Sequence, residues 1–104
     1  MKTEVPQTMT LPDTPRMREI TKRVVWYMSP SEALRDEVTF LCQAMSFAQL
    51  SDIAYLIDTL GLDAFRYGLA NAGPGMVDAR SWAFWHVKCG QLDVPPAPVR
   101  RFPT

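Results

Sequence analysis

The chain has 104 residues, with 11 Lys plus Arg against 11 Asp plus Glu, a hydrophobic fraction of 47%, and three Trp, three Tyr and five Phe. That is the size of one domain, and its apolar content excludes a wholly disordered chain. No apolar run approaches the roughly 20 residues that span a bilayer and no leader pattern opens the chain, so the expectation is a soluble cytoplasmic protein without membrane association.

Seven of the nine prolines lie in the first 15 or the last 10 residues. Both ends therefore read as extended arms: residues 1–14 at the N-terminus and a Pro/Arg-rich tail over 93–104, around a helical domain over 15–92. Thr14 before Pro15 predicts a helix start, because Thr accepts from an orphan amide and Pro at the first helical position loses no hydrogen bond. Met17, Ile20, Val24 and Met28 follow at spacings of three and four, a single stripe that extends this helix toward Pro30. Ser29-Pro30-Ser31-Glu32 predicts a turn into a short helical segment, Glu32 to Arg35.

The next helix is expected over Asp36 to Phe47. Val38, Leu41, Cys42 and Met45 form one apolar stripe and Phe40, Ala44 and Phe47 another, so this helix belongs at the centre of the fold. Ser51 and Asp52 are the expected start of a further helix, with Ile53, Leu56, Ile57 and Leu60 facing inward and Gly61 ending it in the left-handed conformation. Leu62 to Asn71 makes a shorter helix through Leu62, Phe65 and Leu69, and Asn71-Ala72-Gly73-Pro74-Gly75 is a loop. The last helix begins near Asp78, its cap, and closes at Lys88 before Gly90. Trp82, Trp85 and Cys89 share its inner face, which Phe84 and Val87 are expected to widen. Nothing alternates with period two for long enough to demand a strand. The expectation is an all-α bundle of about five short helices with extended Pro-rich arms.

Catalytic chemistry has few candidates. His86 is the sole histidine and neither cysteine has a partner at ligand spacing, so neither a metal nor any other cofactor is expected. Cys42 and Cys89 suit buried free thiols in a reducing compartment. Cys89 follows His86 by three residues, which puts thiol and base on one helical face and leaves a small enzyme as a remote alternative. Asp36 and Glu37 are adjacent and point apart, which suits a helix start better than an acid–base pair.

The balanced charge is unevenly spread. Residues 1–35 carry six basic and four acidic groups, residues 36–94 three and seven, and the last ten only Arg100 and Arg101. A duplex-binding domain needs a dense positive face, and the helical middle has the opposite sign, so nucleic acid is not the expected partner. The one basic cluster, Arg16, Arg18, Lys22 and Arg23, is the alternative, as the operator contact of a transcriptional regulator, although no helix-turn-helix with a basic recognition helix accompanies it. In the tail, a polyproline-like stem carries Arg100, Arg101 and the aromatic Phe102. Such a segment loses little entropy on docking, either onto its own bundle or onto a partner.

From Val25 to Gly90 the residues form a recognisable series. Val25-Trp26-Tyr27-Met28-Ser29-Pro30 leads to Leu34-Arg35-Asp36, an apolar helix follows at Phe40-Leu41-Cys42-Gln43-Ala44-Met45, and Ile57-Asp58-Thr59-Leu60-Gly61 precedes a short helix over Phe65 to Asn71. The series closes with Arg80-Ser81-Trp82-Ala83-Phe84-Trp85-His86-Val87-Lys88-Cys89-Gly90. This stretch resembles the short helical domain found beside abortive-infection type nucleotidyltransferase toxins in bacterial toxin–antitoxin pairs, chiefly through Trp26, Asp36, Gly61, Arg80 and Trp85. It departs from that pattern at Glu37, where many relatives have proline, and at Leu60, in place of a common tyrosine. The resemblance implies a non-catalytic antitoxin that binds and restrains a cognate nucleotidyltransferase-like toxin. Two surfaces are then candidates: Arg100 and Arg101 entering an acidic cleft with Phe102 as anchor, or a bundle face on which Trp82 and Trp85 are hot spots, provided at least one is exposed.

Overall fold

The computed structural model describes residues 10–98, and these form six α-helices without strands. They are α1 (Pro15–Val24), α2 (Pro30–Arg35), α3 (Glu37–Phe47), α4 (Leu50–Leu60), α5 (Leu62–Asn71) and α6 (Ala79–Lys88). The all-α bundle follows the expectation, with the short segment after Pro30 standing as a helix of its own.

Side chains set most of the helix starts. The Thr14 hydroxyl accepts from the Met17 amide, the Ser29 hydroxyl from Glu32, Asp36 from Thr39 and Asp78 from Ser81. Each satisfies a donor that the helix leaves unpaired. Ser29 and Pro30 together start α2 two residues earlier than expected, since Pro fits the first helical position and needs an extended residue before it.

Two further boundaries differ from expectation. Helix α1 stops at Val24 instead of running to Met28. Val24-Val25-Trp26-Tyr27 is a run of poor helix formers, and Val25, fully buried, caps the helix by donating its amide to the Thr21 carbonyl at 2.8 Å. Helix α4 starts at Leu50 after Gln49, which supplies no side-chain cap. Asp52 is therefore not a cap but a buried ion-pair partner. Gly61 does take the positive φ expected of it, but with φ 81° and ψ 160° it is extended rather than left-handed helical, in a region open essentially to glycine alone.

Helix α3 is the centre, as its two apolar stripes require. It packs against α1, α2, α5 and α6, most extensively against α5. Phe40, Leu41, Cys42, Ala44 and Met45 are all buried. Gly68 of α5 permits the closest approach: a β-carbon there would lie 2.9 Å from the Leu41 Cβ. Across α6, Trp85 stacks on Phe65 with ring centroids 4.4 Å apart and donates its indole N–H to the Met45 carbonyl at 3.1 Å.

The arms are partly folded in. Leu11 is buried in the core and Asp13 clasps Arg18 with both oxygens, so the N-terminal boundary of the domain lies before Thr14. At the other end Val94 and Ala97 pack against the core, and the Trp82 indole donates to the Pro95 carbonyl at 2.8 Å. The root of the tail docks on its own bundle.

Candidate functional site

The sequence placed candidate chemistry in four places, and the structure treats them differently. Arg100, Arg101 and Phe102 lie outside the described residues. Trp82 and Trp85 are buried, Trp85 to 1% exposure, so the condition for a hot-spot face built on them is not met. Both indoles spend their N–H groups inside the fold, on Pro95 and Met45. Hot-spot residue types are also core residue types, and here the helix turns both rings inward.

The basic cluster is not a free cationic face. Arg16 reaches Asp52 at 3.3 Å and Glu19 at 3.5 Å, and Arg23 grips Asp52 through Nε at 3.1 Å and Nη2 at 2.6 Å. Arg18 is held by Asp13 at 2.6 and 2.8 Å. The Asp52 carboxylate pushes the Arg23 guanidinium up, as Asp13 does Arg18, chiefly through direct hydrogen bonds. A phosphate would have to displace a carboxylate at all three arginines. Lys22 alone of the four has no ion pair among the described residues.

His86 and Cys89 share a helix but not a hydrogen bond. The His86 Nδ1 faces the Trp82 carbonyl at 2.8 Å, which fixes the proton on that nitrogen because a carbonyl only accepts. The Cys89 thiol points at the Leu62 carbonyl instead. Burial pushes the Cys89 thiol up against the opposing pull of Arg66, and burial with some help from Asp36 pushes Cys42 up to about 12. Neither sulfur is held as the thiolate that a nucleophile needs. Among the described residues no group of three or more His, Cys, Asp and Glu is placed to hold a metal ion.

What the sequence did not single out is an exposed aromatic corner where α1 ends. Trp26 is 62% exposed and meets Tyr27 and Phe47 edge to face, with centroids 5.6 and 5.8 Å apart. Leu50, three residues beyond Phe47 at the start of α4, is also exposed. The corner exists because Val24 and Val25 are both drawn into the core, which leaves the next two side chains of the turn facing outward. The stripe that continues to Met28 hides it: with the helix read through to Pro30, Trp26 and Tyr27 look like helical residues rather than a turn.

A second apolar surface lies on α6. Phe84 and Val87 do not widen the buried face as expected; they lie on the opposite side of the helix and are about half exposed. At 100° per residue, positions 84 and 87 fall away from the side that 82, 85 and 89 share.

No family model, curated protein or solved structure matches this chain.

Proposed function

We propose that this chain is a non-catalytic protein-binding module, an antitoxin that neutralises a cognate nucleotidyltransferase-type toxin by direct binding. The observation that carries the reading is the Trp26–Tyr27–Phe47 corner. Three large aromatic side chains are more than half exposed, with Trp26 edge to face against both Tyr27 and Phe47, an arrangement that contributes far more when a partner desolvates it than it does to the monomer. Trp26 and Tyr27 belong to the aromatic motif on which the family resemblance rests. The paired arginines and the protonated, inward-facing thiols support the same reading by leaving little on the described surface for phosphate binding or nucleophilic attack.

The tail gives a second arm of contact in this mechanism. Its root is held on the bundle at Pro95 by Trp82, and the mechanism assigns the contact itself to Arg100, Arg101 and Phe102. A nucleotidyltransferase gathers carboxylates around its metal-nucleotide, and two arginines entering that cleft would block it by charge and by bulk.

The test is co-expression with the nucleotidyltransferase of the neighbouring reading frame. Trp26→Ala with Phe47→Ala is expected to abolish growth rescue while helical circular dichroism stays native, because both side chains are exposed. Truncation after Pro98 removes Arg100, Arg101 and Phe102 and keeps Val94, Pro95 and Ala97, which are part of the fold. Full rescue by the double variant removes the corner from the mechanism, and full rescue by the truncated chain removes the tail. A neighbouring frame that encodes no toxin would overturn the antitoxin reading as a whole.

A further inference from the structure

The outward face of α6 has an apolar strip with a cation at each end. Ala83, Phe84 and Val87 line a shallow hollow of about 400 Å³ together with the stem of Lys88. Phe84 is 53% exposed, and its ring meets that of buried Trp85 in a T-shaped contact with centroids 5.6 Å apart. Arg80 lies on the same side, one turn before Phe84. Arg80 and Lys88 are exposed, stand about 12 Å apart along the helix axis, and neither is in an ion pair among the described residues. This contrasts with Arg16, Arg18, Arg23 and Arg66, each of which is matched by a carboxylate of the fold.

The charges decide what fits. A second copy would pair α6 with α6 across a two-fold axis, since closed dimers use one patch twice. Antiparallel pairing sets Arg80 against the second copy's lysine at both ends, and parallel pairing sets each cation against itself. Either arrangement brings like charges together across a desolvated strip. The chain's own tail is no better matched: beyond Asp93 its only charged side chains are Arg100 and Arg101. Its root also lies on the other side of α6, where Trp82 holds Pro95.

We propose that this face of α6 is a docking surface for a segment of another protein that carries an apolar strip flanked by carboxylates about two helical turns apart. Phe84 and Val87 supply the desolvated centre. Arg80 and Lys88 are the rim that sets register and rejects basic partners. The surface is on a different element from the aromatic corner, and the proposal stands whether or not the corner's partner is a toxin.

The experiment uses the full chain and two synthetic helical peptides that share one leucine strip, the first with Glu at both flanks two turns apart and the second with Lys at the same positions. Binding is followed by calorimetry and located by amide chemical shifts. The Glu peptide is expected to bind about tenfold tighter than the Lys peptide at low salt, to lose that advantage at high salt, and to shift the amides of α6. Phe84→Glu should abolish binding of the Glu peptide. The double exchange Arg80→Glu with Lys88→Glu, which leaves the apolar centre intact, should reverse the preference. Equal affinity for the two peptides, or shifts centred elsewhere, overturns the proposal. So does a concentration-dependent dimer that Phe84→Glu dissolves, which would identify a second copy as the occupant. Sedimentation with phosphatidylserine vesicles in preference to the Glu peptide would overturn it too, in favour of an anionic membrane. Amide shifts in α6 on removal of residues 1–9 would assign the strip to the chain's own N-terminal arm.

Discussion

Arg23 and Asp52, 29 residues apart in sequence, form a two-pronged ion pair in which Nε reaches one carboxylate oxygen at 3.1 Å and Nη2 the other at 2.6 Å. Arg16 joins it at 3.3 Å, and its guanidinium lies over the Tyr55 ring 5.4 Å from the centroid. Helix α4 buries only Asp52 and Leu56, so this cluster is much of what ties it to α1. The carboxylate is 1% exposed, whereas the two arginines are about two-fifths exposed. That asymmetry sets an order of costs. Replacing both arginines by alanine strands a buried charge and should cost about 3–5 kcal/mol. Replacing Asp52 by alanine leaves two cations that already reach water, and should cost about 1–2 kcal/mol. Urea denaturation of the two variants measures the order directly, and equal losses would contradict it.

The same pairing predicts a gain of function. With Asp13 and Asp52 both changed to alanine, Arg18 and Arg23 join Lys22 as free cations on one helix, while Arg16 keeps only its exposed pair with Glu19. Binding to labelled duplex DNA should then tighten at low salt relative to the native chain, and the slope of log K against log salt should steepen by about 0.9 for each arginine that engages a phosphate. Fluorescence anisotropy over a salt series reads both quantities. An unchanged slope would show that the carboxylates are not what keeps this face neutral.

These two cases show what a sequence conveys and what it leaves out. Thr14 and Asp78 were legible as caps because a cap is a local relationship over three residues, Asp36 was legible only as a helix start, and Gly61 was legible as a helix end with positive φ though not in its ψ. The α3 stripes identified the central helix because apolar residues on two sides leave no other place for it. Asp52 reads as a helix-start residue and does lie in the first turn of α4, but its buried ion pair was not legible because the partners are on α1, Arg23 nearly thirty residues away. Phe84 and Trp85 are neighbours of similar type about 100° apart around one helix, the first half exposed and the second buried. Periodicity puts them on different faces but does not say which face meets the bundle. Trp82, Trp85 and Trp26 are equally plausible interface residues by type, and only tertiary burial separates the last from the other two.

Gly68 offers a test of the α3–α5 contact. Replacing it with alanine brings two opposing effects. Alanine is the better helix former by about 0.5–1 kcal/mol. Its β-carbon, however, would sit 2.9 Å from the Leu41 Cβ and 3.2 Å from the Met45 Cε. The methionine end can move but the leucine β-carbon is fixed to its backbone, so α3 and α5 must separate, at a cost of about 1–3 kcal/mol. The contact is expected to win, giving a net loss of about 1–2 kcal/mol by denaturant titration, and a stabilised variant would show the two helices to be less tightly seated.

The buried thiols predict an alkaline weakness. Burial pushes Cys42 from the ordinary thiol value of 9.0 up to about 12, with Asp36 adding to the effect, so the folded chain holds the proton more firmly than the unfolded chain does. Below about pH 9 both states keep it, and this stability is fully present. As pH rises from 9 toward 12 the unfolded chain releases the proton first, and stability falls by about 1.4 kcal/mol per pH unit. Cys89 and Tyr67 are raised by burial too, and they act in the same direction. Cys42→Ala removes the largest of these contributions along with the sulfur's packing, which lowers stability at every pH but should flatten the decline. Between neutral pH and about pH 10.5 the native chain is therefore expected to lose about 2 kcal/mol more than the variant. Urea midpoints at the two pH values, each normalised to its own neutral value, make the comparison independent of the packing loss. Equal declines would mean that the Cys42 thiolate reaches solvent in the folded chain, and that the α3–α5 contact around it is open.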